Sequence, residues 1–279
     1  MIGRLMRAGA ALATLAAAGS LAASAAAAPA PAGSTFGFGQ LPMPANSIAA
    51  AGSGYGLNEP ARSALSDDGR YLVFVSTANA LSREADPDAV NVFRKDLRTG
   101  RVALASRADG PRGRGMRGAA DGVAVSADGG RVLFSTADRL DPADADDEPD
   151  LYLRDLAAGR TTLVTPGSDA PVHDAAISAD GAYVAFVTRA GLVPGDAGTE
   201  SDVYRARVAD GAVELVSRIP AAPTAGNGES WEVDLSGDGR WVAFSSRATD
   251  LVAGFVDGNG AFGADVYARD MEAGDTYLI

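Results

Sequence analysis

Four segments of the chain share one succession of polar and apolar positions, a Ser-x-Asp-Gly tetrapeptide followed by an apolar run. In two of these runs, YLVFV at 71–75 and YVAFV at 183–187, apolar side chains occupy both odd and even positions. Because successive side chains of a strand point to opposite faces, such runs predict strands covered on both faces. No segment has a sustained helical period, so the pattern predicts an all-β fold.

The tetrapeptides recur at intervals of tens of residues, which is typical of repeat architectures. Their glycines are separated by 60, 52 and 58 residues. Asp-Gly between apolar runs predicts a tight hairpin, because glycine adopts the positive φ that such turns require. A phenylalanine follows each glycine by five residues and is expected at an equivalent place in every unit. The repeated residues are Asp68, Gly69 and Phe74; Asp128, Gly129 and Phe134; Asp180, Gly181 and Phe186; and Asp238, Gly239 and Phe244.

Each unit continues with a further apolar segment, such as DVYRAR at 202–207, and a short closing one, such as VELVS at 213–217. Four short strands per unit match a propeller blade, which its neighbours cover on both faces. A two-sheet sandwich leaves one face of each sheet in water and fits these runs less well. We therefore predict a β-propeller of four-stranded antiparallel blades. The predicted blades are residues 61–118, 119–170, 171–228 and 229–279.

The number of blades has two interpretations, since propellers close with four to eight blades. Either the four units close on themselves, or they form an incomplete part of a larger propeller. The last predicted strand coincides with the final residue, Ile279, which favours the second interpretation. An open arc is then expected to expose a blade face such as the layer of Phe74 or of Phe244.

The units resemble the repeats of TolB-type (WD40-like Asp-Gly) β-propellers, through segments such as SADGAYVAF at 178–186 and DLYLRD at 150–155. The resemblance covers residues 61–279 and implies the propeller fold, but this repeat serves proteins of many functions. TolB itself has an α/β domain before its propeller, and residues 29–60 are too short and too rich in Gly and Pro for one. The chain is therefore not expected to be TolB or to share TolB's partners.

The first residues predict export. Arg4 and Arg7 precede an Ala-rich apolar segment, and an A-x-A pattern places cleavage after Ala27. We predict a signal peptide at 1–27, a Gly/Pro/Ala-rich linker at 28–60, and a location in the periplasm or outside the cell envelope. The Ala and Gly content of the segment disfavours stable membrane insertion after cleavage. The absence of cysteine excludes disulfides and a lipid-modified cysteine.

Charge narrows the expected partners. Lys and Arg number 24 against 36 Asp and Glu, a net charge of −12. Without the two arginines of the signal peptide the balance is 22 against 36, or −14. Such a surface repels nucleic acid and favours cations or a basic protein or peptide. A small ligand in the central channel of the propeller remains an alternative partner.

The acidic loops between the second and third strands of the units are the candidate metal-binding sites. Alternate Asp and Asn oxygens, with a further carboxylate nearby, suit calcium, which takes six to eight oxygen ligands. The competing interpretation is structural: such residues start turns, and Asp150, Asp202 and Asp265 could each pair with an arginine such as Arg154 or Arg269. The candidate ligands of Ca²⁺ are Asp86, Asp88, Asp144, Asp146, Asp150, Asp257 and Asn259.

Catalytic signatures are sparse in the sequence. The single histidine, His173, lies in a predicted first strand, where it either faces the channel or has a structural role. No Gly-x-Ser-x-Gly elbow occurs, whereas a carboxylate pair for glycan cleavage stays open because acids are abundant. We expect a non-catalytic, exported binding or scaffolding propeller. The alternative is the propeller portion of a longer exported hydrolase, either a prolyl-oligopeptidase-type peptidase or a carboxylate-dependent glycan-cleaving enzyme.

Overall fold

The computed structural model describes residues 63–220, 222–256, 258 and 263–279, which all belong to the unit Met43–Ile279. The predicted signal peptide at 1–27 and linker at 28–60 lie outside the described residues, as do Asp257 and Asn259. Among the described residues, no helix has the length and apolar character needed to span a bilayer.

The strands form four antiparallel sheets of four strands, each following the order of the chain. The first sheet contains β1 (Ser63–Leu65), β2 (Tyr71–Ser76), β3 (Asn91–Asp96) and β4 (Val102–Leu104). The second contains β5 (Ala120–Val125), β6 (Arg131–Thr136), β7 (Asp150–Asp155) and β8 (Arg160–Leu163). The third contains β9 (Val172–Ile177), β10 (Tyr183–Thr188), β11 (Asp202–Arg207) and β12 (Val213–Leu215). The fourth contains β13 (Ser230–Leu235), β14 (Trp241–Ser246), β15 (Asp265–Asp270) and β16 (Asp275–Leu278), and a short 3-10 helix, Asn79–Leu81, follows β2.

Neighbouring sheets pack face to face in chain order, and their first strands β1, β5, β9 and β13 approach one another in succession. One apolar cluster fills each of the three junctions between successive sheets. This arrangement confirms the predicted all-β propeller with four blades. Within the described part of the chain, no packing of similar extent joins the fourth sheet to the first.

The Ser-x-Asp-Gly tetrapeptide closes each first hairpin through side-chain bonds to the backbone. In the first blade, Ser66 Oγ donates to Asp68 Oδ1 at 2.8 Å, which also accepts from the Arg70 amide at 3.0 Å. The amide of Tyr71 donates to Ser66 Oγ at 2.9 Å, and Gly69 has a φ of 66°. The donors that reach the Asp68 carboxylate, first the Arg70 amide and then the Ser66 hydroxyl, lower its pKa.

The phenylalanines after the turns of the second, third and fourth blades lie in the three junctions, whereas Phe74 lies in a cluster of the first blade. Phe186 is fully buried, and its ring lies 5.7 Å from that of Tyr204, its partner across β10 and β11. Burial of large aromatic side chains dominates the energetics of such a core. The equivalent ring pairs are Phe74 with Phe93, Phe134 with Tyr152, and Phe244 with Tyr267.

The turn glycines of the second, third and fourth blades each contact the preceding blade. A Cβ atom on Gly129 would lie 2.3 Å from Cδ2 of Tyr71, so only glycine fits against this ring. Arg94 Nη1 donates to the carbonyl of Gly129 at 2.7 Å, and the guanidinium also lies over the Tyr71 ring. The turn therefore fastens one blade to the next through its backbone. The third and fourth blades repeat this joint with Gly239, Tyr183 and Arg205.

The expectation that an open arc exposes the Phe74 or Phe244 layer is wrong, because both rings are buried. Phe244 packs against the third sheet, and Phe74 lies in a cluster that Leu81 from its own blade partly covers. The opposite face of the fourth sheet is the exposed one. Val266 on that face is 49% exposed, whereas Val203, its equivalent in the third sheet, is fully buried.

Candidate cation-binding site

Three carboxylates converge in the second blade, at the end where β6 leads into β7. Asp144 and Asp146 lie in the connecting loop, and Asp150 is the first residue of β7. One oxygen from each lies within 4.8 Å of the others. The structure thus brings together the three candidate ligands that the sequence places in this loop.

Tyr152 on β7 holds Asp144 inside the loop. Its hydroxyl donates to Asp144 Oδ2 at 2.5 Å and accepts from the Leu140 amide at 3.2 Å. Asp144 is only 6% exposed, and its second oxygen, Oδ1, is buried without a hydrogen-bond partner. A buried carboxylate oxygen without a partner is costly, and a cation bound beside it would compensate its charge.

Asp150 is the carboxylate of the cluster that belongs to the strand. Thr165 Oγ1 donates to Asp150 Oδ1 at 2.6 Å, and the residue is 3% exposed. Burial raises the pKa of Asp150 to about 6, and the charges of Asp144 and Asp146 act in the same direction. The hydrogen bond from Thr165 opposes this shift without cancelling it. The alternative in which Asp150 pairs with Arg154 does not hold, because Arg154 binds Thr161 and backbone carbonyls instead.

Asp146 occupies the exposed side of the cluster. Its Oδ1 accepts from the Glu148 amide at 2.9 Å, which leaves the second carboxylate oxygen available. Arg139 binds the carbonyl of Asp146 at 2.5 Å and the carboxylate of Asp147 at 3.1 Å. This arginine therefore stabilises the loop from outside the cluster, through the backbone of Asp146 and the carboxylate of Asp147.

The third blade repeats half of this arrangement. Asp196 accepts a hydrogen bond from the Tyr204 hydroxyl, and Ser217, rather than the expected arginine, donates to Asp202 at 2.6 Å. Burial raises the pKa of Asp202 to about 7, and the charge of Asp196 adds to the shift. Gly198 stands at the position of Asp146, so this loop lacks the third carboxylate of the second blade.

The first blade does not assemble such a site. Asp86 Oδ1 accepts from the Asp88 amide at 3.0 Å, a local turn that follows the structural interpretation of these residues. Phe93 replaces the tyrosine, and Ala85 stands where the second blade has Asp144. Without the hydroxyl and the acid, the loop has no means of burying a carboxylate.

Tyr152 and Thr165 are the residues of the site that the loop pattern alone did not reveal. A signal for the tyrosine exists, since an Asp lies eight residues before the third-strand tyrosine in the second and third blades, and Phe93 is preceded by Ala85. Thr165 also has a signal, because it ends the closing segment of its unit as Ser106 and Ser217 do in the first and third units. It follows β8 and reaches Asp150 across the sheet.

A second group of acids lies on the first strands of the third and fourth blades. Asp174 Oδ2 accepts from the Val233 amide at 2.9 Å and so links β9 to β13. Burial raises the pKa of Asp174, and the charges of Glu232 and Asp234 contribute. His173 beside it is exposed, and Glu232 has a positive φ of 54° in an irregular part of β13. The contacts of Asp174 are those of a junction between blades.

No protein-family model and no curated protein matches the chain. Among solved structures, TolB from Acinetobacter baumannii is 17% identical with a TM-score of 0.43, over 79% of this chain and 43% of that one. The β-propeller domain of Myceliophteria thermophila Cps50 (Swd1) is 13% identical with a TM-score of 0.45, over 84% and 57%. The GH74 enzyme of Niastella koreensis is 14% identical with a TM-score of 0.44, over 79% and 29%.

These similarities concern the fold alone, and the chain spans less than two thirds of each of the three structures. The four stacked sheets define the chain as a β-propeller protein. Its relation to the TolB type in particular stays a prediction from the repeats.

Proposed function

We propose that the chain is an exported, non-catalytic propeller that binds partners and carries a Ca²⁺ site in its second blade. Asp144, Asp146 and Asp150 would be the ligands of the ion. The observation that carries the proposal is Asp144 Oδ1, a buried oxygen without a partner beside two further carboxylates.

The donor set suits calcium by its chemistry. All three side chains offer hard oxygen atoms, and calcium accepts irregular geometries in which water completes the coordination. Magnesium demands near-octahedral geometry and shorter distances, which one fixed loop satisfies less readily. A divalent charge would also compensate the mutual repulsion that favours protonation of Asp150.

A bound ion would connect the β6–β7 loop to the start of β7. The loop is anchored at Asp144 by Tyr152 and at Asp150 by Thr165, while Asp146 lies between these anchors. Calcium would hold Asp146 to both and order a surface on which a partner could dock. The net charge of −12 favours a basic protein or peptide as that partner, with a small ligand in the channel as the second class.

The experiment measures calcium binding to the purified chain by isothermal titration calorimetry. Thermal melting then compares the chain in calcium with the chain treated with EDTA. We expect calcium to bind and to raise the melting temperature, and Asp144→Asn to weaken both effects, because the variant keeps an oxygen but loses a negative charge. Asp88→Asn is the matched control, because Asp88 lies in the equivalent loop of the first blade, and it should bind calcium like the unmodified chain. Melting curves that are identical with calcium and with EDTA would refute the site.

A further inference from the structure

A cavity of about 630 Å³ lies at the junction of the third and fourth blades. The loop between β10 and β11, the edge strand β12, the loop that follows β12 and the end of β15 supply its walls. Its volume is within the range of small-molecule sites. Most of its surface is apolar, through residues such as Val193, Leu215 and Met271, and two arginines, Arg218 and Arg269, supply the positive charge.

Arg269 is a buried cation at the base of this cavity. It is 1% exposed, and it donates to Thr276 Oγ1 at 2.7 Å and to the Gly274 carbonyl at 2.8 Å, while Nε has no partner. Burial lowers the pKa of Arg269 to about 10, and the charge of Arg218 acts in the same direction. The negative charges of Asp275 and Glu214 oppose that shift.

Arg218 lies beside it. A Cβ atom on Gly274 would be 3.6 Å from Arg218 Nη2 and 4.0 Å from Arg269 Nη2, so both guanidinium groups border one point. Arg218 donates to the Ala222 carbonyl at 3.1 Å. Within the described residues, neither arginine forms a salt bridge, although the protein is strongly acidic. Glu214 also lines the cavity, but Arg205 Nη2 binds its carboxylate at 2.5 Å.

At the junction of the first and second blades, an equivalent pair of arginines has a carboxylate partner within the chain. Arg107 and Arg154 are the equivalents there, since Arg107 follows the serine that binds the start of the third strand and Arg154 follows Tyr152 by two residues. Arg107 Nη1 binds Glu84 Oε2 at 2.5 Å, and Arg154 donates to the carbonyls of Ala108 and Gly110. An internal carboxylate and a capping loop thus complete that junction.

The third blade cannot supply its own carboxylate from the same position. Glu84 lies nine residues before Phe93, and the residue nine before Tyr204 is Gly195. A Cβ atom on Gly195 would lie 1.3 Å from the carbonyl oxygen of Pro223, so no side chain fits there. Gly195, at the position equivalent to Glu84, lines the cavity at the third junction.

We propose that this cavity binds a small organic carboxylate with an apolar body, whose carboxylate group pairs with Arg218 and Arg269. The planar guanidinium groups match a carboxylate in bidentate geometry, and the apolar wall accommodates the remainder of the molecule. The ligand would supply from outside the negative charge that Glu84 supplies within the chain.

The test compares two probes by isothermal titration calorimetry, N-acetyl-leucine and its uncharged amide, with inorganic phosphate as a third arm. We expect N-acetyl-leucine to bind at least roughly tenfold more tightly than the amide, because only the acid pairs with the arginines. Equal binding of the acid and the amide, binding of phosphate as tight as that of the acid, or no binding at millimolar concentration would each overturn the proposal.

Arg218→Gln removes one guanidinium from the cavity and should weaken binding of N-acetyl-leucine roughly tenfold or more. Arg207→Gln is the control, because Arg207 is an exposed arginine of the same blade that pairs with Asp210 outside the cavity. Both variants are first compared with the unmodified chain by thermal melting, and a variant that melts early is replaced by Arg218→Lys. Equal affinity in the Arg218 and Arg207 variants would contradict the assignment.

Discussion

Replacement of Asp150 by asparagine tests the electrostatics of the second blade most directly. Asparagine keeps the shape of the side chain and an oxygen that can accept the Thr165 hydrogen bond, but it carries no charge. Its amide can also donate towards the neighbouring carboxylates of Asp144 and Asp146, which lie within 4.8 Å in the cluster. In the absence of calcium the substitution should therefore stabilise the protein.

The size of the effect follows from the pKa of Asp150, which burial raises from the ordinary 3.8 to about 6. The folded state binds the proton of Asp150 more tightly than the unfolded state does. Protonated Asp150 therefore stabilises the fold below its ordinary pKa of 3.8, and this stabilisation is lost as the pH rises through about 6. A difference of about two pKa units corresponds to about 3 kcal/mol. For a protein of this size, that is a rise of roughly 6–12 °C in melting temperature at pH 8.

The assay is thermal melting of the Asp150→Asn variant and the unmodified chain in EDTA, at pH 8 and near pH 4. We expect a gain at pH 8 and little difference near pH 4, where Asp150 is protonated. With saturating calcium at pH 8, the order should reverse, because the variant lacks one of the three negative charges that attract the ion. A lower melting temperature of the variant at pH 8 in EDTA, or an equal gain at both pH values, would refute the reasoning.

Two further predictions concern the junctions between blades. Gly129→Ala should destabilise the chain well beyond Gly211→Ala in urea unfolding, because both positions have positive φ but only Gly129 faces the Tyr71 ring. Equal losses in the two variants would show that the ring contact is not needed. Phe186→Ala should cost about 3–5 kcal/mol in the same assay, as expected for a fully buried aromatic ring. A loss below about 1 kcal/mol would contradict the central place of this ring in its junction.

The propeller was predictable because its signals are local and repeated. An Asp-Gly hairpin depends on a few neighbouring residues, and continuous apolar runs report that both faces of a strand are covered. Which face stays exposed at the last blade was not predictable in this way. Phe244 and Val266 are both apolar, and only the direction in which the blades succeed one another buries the first and exposes the second.

The candidate site shows the same limit. The acidic loops of the first and second blades have similar local patterns, yet only the second brings three carboxylates together. The difference lies in Tyr152, whose hydroxyl draws Asp144 into the protein, and in Asp150, which Thr165 binds from beyond the end of β8. The first blade has Phe93, Ala85 and Asn91 at the positions of Tyr152, Asp144 and Asp150. Such partners are close in space and distant in sequence, so loop composition does not identify them. The closeness of Arg218 and Arg269 at the third junction could not be predicted from the sequence for the same reason.

The joint between blades has a consequence for how this chain can vary. In each blade but the last, an arginine donates a hydrogen bond to the backbone carbonyl of the turn glycine in the next blade. The pairs are Arg94 with Gly129, Arg131 with Gly181, and Arg205 with Gly239. A carbonyl is present whatever side chains surround it, so mutations elsewhere in the turn leave the point of attachment intact. The fold can therefore tolerate many sequence changes in its loops, provided that the turn glycines keep the blades packed in the same arrangement.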